Sequence, residues 1–337
     1  MIEIKDKPWT SYIDQIKLLE SRGMIITDFD KAITYLERIG YYRLSGYWDV
    51  FLEDESDNFI DKTSFKDVIS IYIFDKKLRL LILDALERIE ISLRSEVSYM
   101  LGEFSPYAHL EEEYLTDDFT IKNLDKTNSL KPVKKENISK KNPEYLTSKY
   151  EIWCIKQKKL IERSKEEYIK HNLNNYGKDL KIWVACQVWD FGLMSKFYEG
   201  MLPCYKNRIA EKYQIDKGVT LQSWLHVMNI VRNICAHHGR LWNRSLRKPQ
   251  LPNENIIPWV KFFPSHNRKR KSRVFLTLCI IKHMIDTINP DSTWWNRVIN
   301  LISSFPKFDY CDLDTLRMGI PEESNFLIPY KRKTPKQ

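Results

Sequence analysis

An all-α fold follows from three features of this 337-residue sequence. Glycine is scarce, ten in the whole chain, too few for the tight turns that sheet-rich folds demand. No segment sustains the alternation of period two that a half-buried strand shows. Several segments instead repeat apolar residues at helical spacing. With 43% hydrophobic and 13% aromatic residues, the chain has the material for a sizeable core. It contains no internal repeat.

The elements follow in chain order. Tyr12, Ile16 and Leu19 recur at turn spacing and predict a helix over Tyr12–Glu20, stopped at Arg22-Gly23. A second helix is expected over Asp28–Ile39, capped by Thr27 or Asp28 and ended at Gly40. Tyr41 to Trp48 is dense in aromatics around Arg43, a block that reads as core packing or as a surface for stacking bases. Residues 65–101 read as one long helix or two abutting ones, with Ile69, Ile73, Leu80, Leu83, Leu86, Leu93 and Val97 as the apolar stripe. Glu90 and Arg94 lie four apart on that helix, either as a simple intrahelical pair or as a buttress for a polar site on a neighbour.

Residues 116–144 lose all periodicity and carry Pro132 and Pro143, the pattern of an inserted flexible loop. A polar, solvated helix is expected from about Tyr145 to Asn172. Residues 179–200 form an amphipathic helix with a break near Gly192, and Asn207–Tyr213 a short one. Residues 220–238 form the helix that carries the chemistry. An apolar helix over 273–288 ends at Asn289-Pro290, and Trp294–Ile302 closes the series. The chain then divides into an N-terminal helical part (1–102), an insert with loop and polar helix (103–178), a motif-bearing helical part (179–250) and a C-terminal helical region with a basic tail (251–337).

Bulk properties narrow the function. The N-terminus lacks the apolar stretch of a signal peptide, and no run approaches the ~18 apolar residues of a membrane span, so a cytoplasmic protein without membrane contact is expected. Six scattered cysteines form no C-x-x-C pair and no zinc-spaced cluster, and read as reduced core thiols. No metal and no cofactor is expected. The net charge of +9 is concentrated in residues 131–141, 268–273 and the tail from Lys331 to Lys336, leaving the remainder acidic. Such runs suit phosphate backbones, and each also reads as a solvated loop.

On the helix over 220–238, Leu221, Trp224, Leu225, Met228, Val231 and Cys235 make the apolar side. His226, Asn229, Asn233 and His237 make a polar line, which Arg240 and Arg244 extend if the helix continues. Asn is a mediocre helix former. Exposed faces elsewhere in the chain carry Lys and Glu, and this line carries neither. Arg232 and His237, five residues apart, diverge by about 140° on an ideal helix. Cooperation requires the guanidinium to curl back, the helix to distort, or two copies of the helix to face each other. Histidine moves protons near neutral pH. It suits either deprotonation of an RNA 2′-hydroxyl or protonation of the leaving 5′-oxygen. Arginine clamps phosphate oxygens, and asparagine holds the phosphate or the imidazole.

Arg232…His237 resembles the R-x(4–6)-H motif of HEPN ribonucleases. The longer string, Ser223-Trp224-Leu225 through Arg232-Asn233-Ile234-Cys235-Ala236-His237-His238-Gly239-Arg240-Leu241-Trp242-Asn243-Arg244, resembles the signature of the Abi_2 family of AbiD/AbiF-like abortive-infection proteins. Gln15–Leu19, Tyr41–Tyr47 and Ile182–Ser195 resemble further blocks of that family. The resemblance implies a HEPN-type helical bundle with a polar inserted loop and peripheral helices, and a metal-independent endoribonuclease toxin in anti-phage defence. It implies a composite site between two motif helices, hence a homodimer, and restraint by a small structured antitoxin RNA. Carried onto this chain, it makes Arg232, Asn233 and His237 the catalytic set, with His238, Arg240, Asn243, Arg244 and Asn229 contacting RNA and Glu90 and Arg94 supporting. Two other functions stand beside this one: an RNA-binding HEPN module without catalysis, and a partner-dependent member of a defence complex. A DNA-binding role is not expected, since no helix-turn-helix presents a basic recognition helix.

Overall fold

The computed structural model describes residues 8–121, 148–177, 179–264 and 266–321. Among them are thirteen α-helices and no strand, only isolated bridges. The loop expected over 116–144 falls mostly outside the described residues, as do the basic run 131–141 and the basic tail.

Helices α1 (Tyr12–Ser21) and α2 (Phe29–Ile39) form where the spacing predicts. Asp28 caps α2 by accepting from the Lys31 N–H, and Gly40, at φ 90°, turns the chain straight into α3 (Tyr41–Trp48). The aromatic block is thus a helix of its own. Tyr47 and Trp48 are buried in the core, and Tyr42 is exposed.

The long segment is one helix, α4 (Phe65–Gly102), opened by a capping box between Ser64 and Asp67. It is the axis of the molecule, with α3 and most of the helices that follow it in the chain packed against it. Its stripe differs from the expected one. Ile69, Leu86, Leu93 and Val97 are buried, but Ile73 and Leu80 are exposed. Asp75 and Arg79 occupy part of the inward surface instead.

Helix α5 (Asp117–Thr120) precedes the undescribed segment. The single polar helix expected next is two, α6 (Lys149–Arg163) and α7 (Glu167–Tyr176). Nor does α6 project into solvent: Trp153 is buried and its indole N–H donates to the Leu193 carbonyl at 3.0 Å. The segment expected as one helix over 179–200 breaks before Gly192. Helix α8 (Ile182–Ala185) runs into a short 3₁₀ turn, and α9 (Phe191–Gly200) starts afresh on an Asp190 cap. Asp190 accepts from the Leu193 N–H at 2.7 Å, which supplies a helix start that a Gly in the first turn does not disrupt.

Helices α10 (Pro203–Lys212) and α11 (Gly218–Ala236) lie close. A Cβ on Gly218 would stand 2.5 Å from the Lys206 Cβ, so glycine is required there. Helices α12 (Val274–Ile288) and α13 (Trp294–Ser303) complete the bundle. One hydrophobic core runs from Ile16 to Ile320. Of the cysteines, Cys186, Cys235 and Cys279 are buried and Cys204 is exposed, so the reading of all six as core thiols fails at Cys204; all six are free.

Candidate functional site

Helix α11 is pinned along its length. Ser223 Oγ accepts from the Gln250 N–H and the Trp224 indole donates to the Gln250 carbonyl, both at 2.8 Å. His226 and the Arg247 guanidinium meet at 3.0 Å. Burial first, then the positive charges of Arg247 and Lys196, hold the His226 pKa below its ordinary value.

Further along, Asn229 lies over Gly192. A Cβ on Gly192 would come 3.4 Å from Asn229 Oδ1 and 3.3 Å from Asp190 Oδ1, so the glycine lets α9 and α11 approach. Asn229, Asp190 and Gly192 line a cleft of about 660 Å³ whose far wall is α6, with Lys149, Lys156, Lys159 and Arg163. Five lysines and arginines in all, counting Lys196 of α9, face two carboxylates across it.

Glu90 and Arg94 make the intrahelical pair and reach beyond it to a neighbouring segment. Arg94 pairs with Glu90 and donates to the Trp189 carbonyl and, at 3.0 Å, to that of Gln187. The arginine therefore fixes the chain break between α8 and α9. Burial pushes the Glu90 carboxyl above its ordinary value, against the pull of Arg94 and then Arg232, with Asp190 adding to the rise. Glu90, Arg94, Asp190 and Arg232 form one electrostatic group.

The helix stops sooner than the sequence suggests. Its last residue is Ala236 and His237 is the C-cap. His238 N–H donates to the Cys235 carbonyl at 3.1 Å, and Gly239 N–H to that of Ile234 at 2.8 Å. This is the paired closure of a Schellman motif, in which the residue at the left-handed position is usually glycine. Here it is His238, at φ 58°. The polar line consequently does not continue into Arg240 and Arg244.

The turn is held from below. Arg43 donates to the His238 carbonyl at 2.7 Å and Arg79 to that of Gly239 at 3.3 Å. Asp75, fully buried, accepts from the Trp242 N–H (2.8 Å), the Leu241 N–H (3.2 Å) and the Tyr47 hydroxyl (2.7 Å), and pairs with Arg79. Burial raises the Asp75 and Tyr47 pKa values, the latter with help from the Asp75 charge. This clamp was missed from sequence. Its signal was an Asp and an Arg four residues apart inside an apolar run.

Arg232, Asn233, His237, His238 and Arg244 therefore share the outer end of α11. The Arg232 guanidinium bends to Asn233 Oδ1 at 3.3 Å. Asn233, His237, His238 and Arg244 are exposed and Arg232 is half-buried. Arg244 folds back to within 3.6 Å of where a Gly239 Cβ would stand. Arg240 is turned away, donating to the Gly46 carbonyl and lying 3.9 Å from Asp49. Asn243 faces the C-terminal region, its carbonyl accepting from Arg273. The His237 backbone N–H donates to the Asn233 carbonyl at 2.9 Å, and among the described residues no side-chain hydrogen bond or ion pair joins Arg232 or Asn233 to the His237 imidazole. No group of three or more His, Cys, Asp or Glu there forms a potential metal site, and no helix is long and apolar enough to cross a membrane.

The fold and this site define an all-α protein that presents a guanidinium, an amide and two exposed imidazoles at one helix end held by hydrogen bonds from α3 and α4. Over residues 34–243 the chain matches the family model described as Abi-like protein, and it belongs to that family. Membership points to a role in abortive infection, a form of cellular defence. No curated protein and no solved structure matches it.

Proposed function

We propose that this chain is a metal-independent endoribonuclease toxin of an abortive-infection system. The observation that carries the reading is the end of α11, where Arg232, its guanidinium on Asn233, and His237 gather above a turn clamped by Arg43, Asp75 and Arg79. Groups gathered at a helix end whose backbone is fixed in this way suit a reacting phosphodiester, because positioning supplies much of the rate.

In this mechanism the His237 imidazole takes the proton of a ribose 2′-hydroxyl. The 2′-oxygen attacks the adjacent phosphorus, the P–O5′ bond breaks, and the 5′-oxygen leaves with a proton drawn from solvent. The products are a 2′,3′-cyclic phosphate and a 5′-hydroxyl. Arg232, oriented by Asn233, stabilises the charge gathering on the phosphoryl oxygens, and Arg244 and His238 hold the flanking backbone. DNA lacks the nucleophile and stays intact.

Among the described residues no side-chain hydrogen bond or ion pair joins Arg232 to His237, which favours a homodimer whose site takes Arg232 from one copy and His237 from the other. A small structured RNA that occupies this surface is the corresponding antitoxin. The test is a cleavage assay on labelled RNA with EDTA present. Wild type yields cyclic-phosphate ends, and His237→Ala loses about 10²–10⁴-fold in rate. RNA-free, dimeric wild type that leaves every RNA whole returns the chain to an RNA-binding or partner-dependent role.

A further inference from the structure

A second cavity, lined by Asn243 and by residues within 267–320, lies almost wholly outside the family match. It measures about 520 Å³, within the roughly 300–1,000 Å³ of small-molecule sites. Lys269, Arg270, Arg273 and Arg317 line it, and no carboxylate does. Among the described residues none of these four cations has an ion-pair partner. Like charges gathered without counter-charge repel one another, so the cavity is made for an anion.

The cavity is also built rather than incidental. Arg270 is anchored on the Phe262 carbonyl at 3.3 Å and Arg273 on that of Asn243. Gly319, at φ 86°, closes the short 3₁₀ turn Thr315–Met318 over them; a Cβ there would come 2.6 Å from the Arg273 Cβ. That close approach brings Arg317 to the cavity.

Asn243 supplies the second half of the argument. Its side-chain oxygen is buried without a hydrogen-bond partner among the described residues, an expensive condition unless a donor arrives. Four cations beside one unsatisfied acceptor match a ligand carrying both phosphate and a hydroxyl or amino donor, the composition of a ribonucleotide. Asn243 lies six residues beyond His237 in sequence, a reach of at most about 20 Å. We propose that this pocket is a ribonucleotide phosphate subsite, occupied by the backbone of an RNA that also runs past His237. The proposal rests on the RNA reading above and gives the run 268–273 its role.

The test measures binding and cleavage separately. RNA affinity is read in the His237→Ala background, against a labelled 30-nucleotide single strand from 50 to 200 mM salt. Lys269→Ala/Arg317→Ala removes two exposed cations and should weaken binding about tenfold and flatten the log–log salt slope by about 1.4. Lys269→Gln/Arg317→Gln should do the same, and Lys17→Ala/Lys31→Ala, of equal charge on α1 and α2, should do neither. Matching thermal melts show that the variants fold. Unchanged affinity and slope in both pocket variants overturns the subsite, as does the same loss in the α1/α2 control. ATP or GTP raising the melting temperature only when the pocket is intact, with RNA affinity unmoved, overturns the RNA occupant in favour of a free nucleotide. Wild type that cuts nothing while the slope still falls defeats the nuclease and leaves the subsite standing.

Discussion

His238 holds a backbone conformation, φ 58°, that L-residues avoid. The left-handed region costs a non-glycine residue about 1–2 kcal/mol, and the neighbouring Gly239 does not relieve it because the Schellman geometry places the strain one residue earlier. Strain of this kind collects where function needs a side chain. His238→Gly should therefore raise stability by about 0.5–1 kcal/mol, after the added freedom of the unfolded chain is deducted, and lower affinity for RNA. Urea denaturation and a binding titration on one preparation check both signs. A destabilised glycine variant would mean that the imidazole contributes to the fold. The residue types of the site were legible in sequence, since Arg232, Asn233 and His237 carry their chemistry in their names. The end of the helix was not. Glycine at 239 marks a stop, but only the backbone shows that the left-handed residue is the histidine before it.

At the scale of elements, the motif turn depends on α3 and α4. Three Asp/Glu–Arg pairs at i,i+4 lie on α4: Asp75–Arg79, Asp84–Arg88 and Glu90–Arg94. They look alike in sequence and differ in burial. The middle pair is partly exposed, the last nearly enclosed, and the first buried with its carboxylate at 0% exposure. Periodicity gives the direction of a side chain on its own helix but not what lies opposite, so the reach of Arg94 to the Gln187 and Trp189 carbonyls is not legible from the i,i+4 spacing. For the same reason the lysines of α6 looked like a solvated face, although they form one wall of the cleft at Asn229. Asp75→Asn keeps the shape of the network and removes its charge, leaving Arg79 uncompensated in a buried place. The expected cost is about 3–5 kcal/mol, read as a shift in urea midpoint at constant m-value. The partly exposed Asp84, paired with Arg88 and Arg297, gives the contrast, with Asp84→Asn costing about 1 kcal/mol. Equal losses at the two positions would contradict the clamp.

For the molecule as a whole, pH acts on stability through His109. Its ring is fully buried, has no hydrogen-bond partner among the described residues, and lies 5.8 Å from the Trp189 ring centroid. Burial lowers its pKa to about 4, whereas the unfolded chain titrates it near 6.5. Between those values the unfolded state binds the proton and the folded state does not, so stability falls as pH drops from about 6.5 towards 4, by up to about 3 kcal/mol. His109→Leu should flatten that part of the pH profile, and an unchanged profile would mean that other groups set it.

Assembly is the remaining whole-molecule question, and it tests the site more severely than any single substitution. Arg232 lies on the last full turns of α11 beside Glu90, and His237 caps the helix about 7.5 Å further along its axis at 1.5 Å per residue. Suppose each site takes its arginine from one copy and its histidine from the other. Arg232→Ala and His237→Ala are then each inactive alone. Mixed and allowed to exchange subunits, half of the dimers are hybrids, and each hybrid restores one site of two, so activity returns to about a quarter of wild type. A site contained within one chain gives no recovery at any ratio. Recovery that rises with exchange time and vanishes on dilution below the dimer dissociation constant locates the chemistry between chains. Absence of recovery, with hybrids verified by mass, confines it to one chain, where Arg232 would have to swing from Asn233 towards His237.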